Sequence, residues 1–312
     1  MKTTRKLKGD SPMKNSLLTN VPPASRPMFE TSRKLLSIFF CAITATFVLA
    51  IAATTAHSAR ELGTKVNASG YNLQLNGRPF VIKGMNYSPV PIGTAPGNPP
   101  YGDYFVPNYS NVWMPDIDNM RNAGVNVIKL YAGNPDLNAG APGTGGNWKQ
   151  FLDYCWNGGN RPVYVVMFSY TQGGVIEQGG TGLNDYIRQY DEMVKSTVKH
   201  PAVFGYIIGN EIFDGVTGNP QFWQNFGTLI NAADGAGRSQ GEKPFFMTAT
   251  NDNFTPQNSW PAIKLGEQSG QLRNLDAWCI NIYRGPEFGG SGNSAFAQYA
   301  DLMRSLNVPR NR

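Results

Sequence analysis

A chain of 312 residues with 41% hydrophobic and 12% aromatic content is long enough to bury one large core. Its formal charge of +6 sits wholly in residues 1–34, where eight Lys or Arg face only Asp10 and Glu30, and the rest of the chain is balanced. A neutral globular part excludes a nucleic-acid footprint, and with His57 and His200 as the sole histidines no metal centre or other cofactor is expected.

Behind Arg33 and Lys34, residues 35–59 contain no charged side chain. The run Leu35 to Ala53 followed by small residues up to Ala56 and Ser58 reads as a secretory signal, which sends the protein to the outside; an uncleaved signal-anchor is the rival reading, and would be its one link to a membrane. The domain reading is a basic tail over 1–34, the signal or anchor over 35–59 and a globular domain over 60–312. Cys155 and Cys279, assigned to a helix end and a strand several units apart, are expected to be free thiols.

In the globular part, Leu73 to Arg78 predicts a hairpin turning at Asn76 and Gly77, and Pro79 to Tyr87 a first buried strand. Residues 88–109, rich in Pro, Gly and Tyr, keep no period and predict a loop. A helix over Met114 to Ala123, stopped by Gly124, then feeds a second strand from Val125. After a Gly-rich stretch with no phosphate-loop signature, Trp148 to Trp156 predicts an amphipathic helix and Pro162 to Tyr170 a third strand. A helix from Leu183 to Lys199 leads to HPAVFGYIIGNEIF, residues 200–213. Here the apolar run Ala202 to Ile208 predicts an inner parallel strand that delivers Asn210 and Glu211 at its carboxyl end, where barrel enzymes keep their chemistry. A carboxylate set against Tyr206, Ile208 and Phe213 would have to be neutralised, paired or used. His200 reads as a helix-end cap. Further on come a helix over Pro220 to Asp234, a fifth strand over Pro244 to Ala249, a sixth over Leu275 to Tyr283, and a helix over Ala295 to Leu306.

The segment IIGNEI preceded by HPAV resembles the acid/base strand of clan A retaining glycoside hydrolases, which include family 5 cellulases and mannanases, family 2 enzymes and family 72 glucanosyltransferases. INIYRG resembles the sixth strand of family 2 and related barrels. The resemblance implies a (β/α)8 barrel, with about six strands present and the chain truncated before strand seven. It also implies that Glu211 is the general acid/base, that Asn210 holds the sugar 2-hydroxyl, and that Tyr283 borders the site. The nucleophile glutamate is expected beyond residue 312, and Glu287 in RGPEFGG reads as a loop residue. Clan members usually carry Arg where Lys129 stands, so the hydrogen bonding there should differ. The expected partner is a β-linked glucan or mannan, with Tyr101, Tyr104, Tyr131, Trp156, Tyr170, Trp223 and Tyr283 as candidate stacking surfaces and Tyr131 and Tyr283 as binding residues. Transglycosylation, or binding without hydrolysis, are the alternatives to hydrolysis.

Overall fold

The computed structural model describes residues 65–69, 72–94, 104–130, 148–251, 256–282, 301 and 303–305. All belong to the unit Ala56–Arg312; the unit Met1–Thr55 lies outside the described residues, as do the basic tail over 1–34 and the expected signal over 35–59. So do Tyr101, Tyr131, Tyr283 and Glu287. Among the described residues no helix is long and apolar enough to cross a membrane.

The chain opens with a small antiparallel sheet of β1 (Val66–Ser69), β2 (Asn72–Leu75) and β3 (Arg78–Pro79). Asn76 and Gly77 turn β2 into β3 with φ of 51° and 77°, the double left-handed geometry that an Asn-Gly pair adopts most readily. Six parallel strands follow in sequence order: β4 (Gly84–Tyr87), β5 (Val127–Leu130), β6 (Tyr164–Ser169), β7 (Val203–Asn210), β8 (Phe246–Asn251) and β9 (Ala277–Asn281). Every connection is a crossover, and the strands form a curled half-barrel matching an incomplete (β/α)8 barrel.

Among the described residues six α-helices lie between the parallel strands: α1 (Ser110–Asn122), α2 (Lys149–Trp156), α3 (Gly173–Gln178), α4 (Gly180–Thr197), α5 (Pro220–Ser239) and α6 (Pro256–Gln268). Sequence periodicity misses α3 and α6, starts α1 too late and ends α5 too early. Two of these helices carry an internal proline, Pro115 in α1 and Pro261 in α6, which removes a backbone donor and masks the helical signal. The end of α1 is legible: Gly124 at φ 83° receives a Schellman cap, with Gly124 N donating to Arg121 O (3.1 Å) and Val125 N to Met120 O (3.0 Å). The first barrel strand is shorter than expected, because Pro79 is spent in the hairpin and Val81 and Ile82 are exposed.

Alternation along the strands divides the core in two. Ile128, Val165, Met167, Tyr206, Ile208 and Phe246 face the helices, and this layer holds most of the buried aromatic rings. Val127, Tyr164, Val166, Phe168, Phe204, Ile207, Phe245 and Met247 face the inside of the curl. The hairpin closes the amino-terminal end of that interior: Leu75 joins the inner cluster, and the Phe80 ring meets Tyr164 edge-on at 5.8 Å and Phe204 at 5.9 Å. With that end plugged by apolar side chains, polar chemistry is left to the carboxyl end.

His200 does not act as a simple helix cap. Its Nδ1 accepts from Ala202 N (3.2 Å) at the entry to β7 while Nε2 meets Asp153 Oδ1 at 3.1 Å, so the ring ties α2 to the start of that strand. Burial works to raise the Asp153 carboxyl, but hydrogen bonds from Lys149 and His200 outweigh it and hold it below its ordinary value. Cys155 and Cys279 are free thiols on different elements, as expected.

Candidate active site

Consecutive residues of a regular strand point to opposite faces, so Asn210 and Glu211 reach one site only if the backbone leaves the pleat. β7 does so in steps. Its register against β6 slips at Val165/Val166, and against β8 it slips between Ile207 and Asn210. Gly209, in that second irregularity, has φ 80°, and the strand ends at Asn210. Glu211 itself then adopts φ 56°.

A left-handed conformation costs a residue with a side chain about 1–2 kcal/mol, and it persists where the surroundings over-determine it. Three contacts do this. Glu211 N donates to Ala249 O (2.8 Å), extending the β7–β8 ladder one residue past the strand. Thr248 Oγ1 lies 3.4 Å from Gly209 O. On the far side, a Cβ added to Gly173 would fall 2.0 Å from Ile212 O, so the α3 amino terminus abuts the residue following Glu211.

The carboxyl-end cluster joins three strands. Lys129 of β5 donates from Nζ to Asn210 Oδ1 (2.6 Å) and sits 5.7 Å from the centroid of the Phe168 ring. Asn281, the last residue of β9, donates from Nδ2 to Glu211 Oε1 (2.6 Å) and lies 3.3 Å from Asn210 Oδ1. In the ladder Asn281 pairs with Asn251 of β8, and Ala249 of the same strand pairs with Asn210, so the Asn281 side chain spans β8 to reach Asn210 and Glu211. Burial lowers the Lys129 pKa below the ordinary lysine range, with Cys279 and Glu211 opposing that lowering. Burial likewise pushes the Cys279 thiol up to about 11 against the pull of Lys129, which keeps it a neutral thiol at physiological pH.

The environment of Glu211 differs from the apolar one expected. Tyr206 and Ile208 belong to the helix-side core, with Tyr206 Oη bonded to Thr197 of α4 (2.8 Å), and Phe213 stacks on Trp223 at 5.7 Å. Glu211 itself is half-buried after the turn, and its carboxylate takes the Asn281 amide as a partner. Three of the candidate stacking aromatics are also structural. Tyr104 is buried 4.9 Å from Tyr109, Trp223 is buried in α5, and Trp156 packs at the amino-terminal end near Tyr164. Among the described candidates Tyr170, directly after β6, is the exposed one, and Gln172 Nε2 is 3.5 Å from its Oη. Asn281 is the site residue that sequence reasoning overlooks. Its signal was present, since it lies inside INIY two residues before Tyr283, the position on the same face of a strand.

No protein-family model matches the chain, and no curated protein sequence does. Solved structures do share its fold. Saccharomyces cerevisiae Gas2p in complex with laminaritriose and laminaritetraose superposes with a TM-score of 0.56 at 15% identity, over 79% of this chain and 51% of that one. Bacteroides uniformis β-glucuronidase 2, covalently bound to cyclophellitol-6-carboxylate aziridine, gives 0.51 at 13%, over 80% of this chain and 26% of that one. A second B. uniformis β-glucuronidase structure gives 0.50 at 14%, over 78% and 25%. The chain thus spans between a quarter and about half the length of these neighbours. At these identities the likeness concerns the fold, and the fold is that of an incomplete (β/α)8 barrel.

Proposed function

We propose that the protein is a retaining glycosidase or transglycosylase acting on a β-linked polysaccharide, with Glu211 as general acid and then base and Asn210 as donor to the sugar. The observation that carries this reading is the paired delivery of Asn210 and Glu211: two consecutive side chains, at the end of an inner parallel strand, brought to one amide of β9 through a positive-φ glutamate. An ordinary strand-end carboxylate has no need of that backbone. Lys129 and Asn281 both supply hydrogens to Asn210 Oδ1, so the Asn210 amide turns its Nδ2 hydrogens toward the bound glycan.

In the first half-reaction Glu211 protonates the leaving glycosidic oxygen while a second carboxylate attacks the anomeric carbon; in the second, Glu211 takes a proton from water or from an acceptor sugar hydroxyl. A retaining mechanism needs the two carboxyl groups about 5–5.5 Å apart. This proposal assigns the nucleophile to a residue outside the described ones. Export through the uncharged run behind Arg33 and Lys34 would bring the protein to its glycan and belongs to the same proposal.

Laminari-oligosaccharides, the ligands named with the yeast structure, are the first compounds to test, beside cello- and manno-oligosaccharides. Incubation with product analysis is expected to give shorter or longer β-linked products with retained anomeric configuration. Binding by calorimetry without any new product would favour a carbohydrate-binding role, which the exposed Tyr170 could serve. Neither binding nor products from any β-glycan would remove the proposal.

A further inference from the structure

A carboxylic acid that donates a proton must carry it on the oxygen that faces the leaving group, and the cluster contains a device that selects that oxygen. Asn281 Nδ2 stands 2.6 Å from Glu211 Oε1 and points hydrogen at it, so a proton on that same oxygen would meet an N–H donor head-on. The Asn281 amide is itself held the right way round. Its Nδ2 is also 3.3 Å from Asn210 Oδ1, whose second lone pair takes Lys129 Nζ at 2.6 Å; reversing Asn281 would set its oxygen against two acceptor oxygens. Ala249 O pins the Glu211 backbone at 2.8 Å.

We propose that Asn281 is the positioning residue of Glu211, holding Oε1 as a permanent acceptor and assigning the transferable proton to Oε2; this rests on the glycosidase reading above. The proton leaves Oε2 for the glycosidic oxygen as the C–O bond breaks and its electron pair goes to that oxygen. Oε1 keeps its hydrogen bond through both half-reactions, so protonation and later proton abstraction use the same Oε2. Asn281 thus acts only on steps in which Glu211 moves a proton; a dinitrophenyl leaving group, which departs without protonation, bypasses it in the first half-reaction, while breakdown of the glycosyl-enzyme by water still needs Glu211 as base.

The test compares wild type, Asn281→Ala and Asn281→Asp on two β-glycosides of the same sugar, one with a sugar or simple alcohol and one with dinitrophenol as leaving group. Melting followed by circular dichroism reports whether each variant is folded. Asn281→Ala is expected to lower kcat/KM, which reports formation of the glycosyl-enzyme, about 10- to 100-fold on the unactivated glycoside and less than about threefold on the dinitrophenyl glycoside. Asn281→Asp, which has the same shape but sets an acceptor against Oε1, should fall at least as far. Equal losses on both substrates, or an Asn281→Asp enzyme near wild type, would mean that Asn281 merely fills space and overturn the inference while leaving the glycosidase reading standing. A wild-type protein that turns over neither glycoside would overturn both.

Discussion

Replacing Glu211 by Gln is expected to reduce turnover of an unactivated β-glycan about 10²- to 10⁴-fold, the range that a positioned general acid contributes, while glycan affinity stays within a few-fold. Gln keeps the length of the side chain and an Oε1 acceptor for Asn281 Nδ2, so the hydrogen bond now at 2.6 Å survives and only the transferable proton is lost. Stability should change little, since the positive φ of 56° is the same demand for Glu and for Gln. Initial rates on laminari-oligosaccharides, with calorimetric binding to the same ligands, separate the two quantities. A variant with unimpaired turnover would remove Glu211 from the acid/base role.

The second large effect is expected from a residue that carries no side chain. In Gly173→Ala the new methyl carbon would stand 2.0 Å from Ile212 O and 3.1 Å from Ile212 C, both backbone atoms, so either α3 or the segment following Glu211 must move. Overpacking against backbone costs about 1–3 kcal/mol, and a displacement of about an ångström at a catalytic group can cost about 100-fold in rate. Gly173→Ala should therefore lose both melting temperature and activity. The neighbouring Gly174→Ala is the control, because nothing lies within 4 Å of its added carbon and Ala favours the helix. If both variants melt and turn over like wild type, the contact between α3 and the Glu211 segment is not what holds the site.

Much of the architecture was legible because it is written in short apolar runs bounded by punctuation. Gly124 ends α1, Asn76 and Gly77 make the hairpin, and each of the six parallel strands lies within or overlaps its expected run. What escaped was written in longer-range terms. Helix α3 begins at Gly173 and Gly174, residues that read as loop until their tight approach to Ile212 is seen. The slips in β7 cannot be read from HPAVFGYIIGN because they arise from pairing with β6 and β8.

The site divides in the same way. Asn210 and Glu211 are singled out by their position after an inner strand, and Lys129 by the resemblance, which places an Arg there. Asn281 needed a distance across β8, the strand between β9 and β7. Tyr131 and Tyr283 stay as expectations, since they lie outside the described residues.

Chemical rescue of Glu211→Ala measures the central claim most directly. With a dinitrophenyl β-glycoside the variant should still form its glycosyl-enzyme, because that leaving group needs no proton, but breakdown by water should stall without a base. Added azide needs no base and fits the space vacated by the carboxyl group, so it should restore turnover and yield the β-glycosyl azide, identified by proton NMR. Azide without effect, or an α-glycosyl azide as the product, would contradict the assignment of Glu211 as the acid/base, and an α product would make it the nucleophile instead.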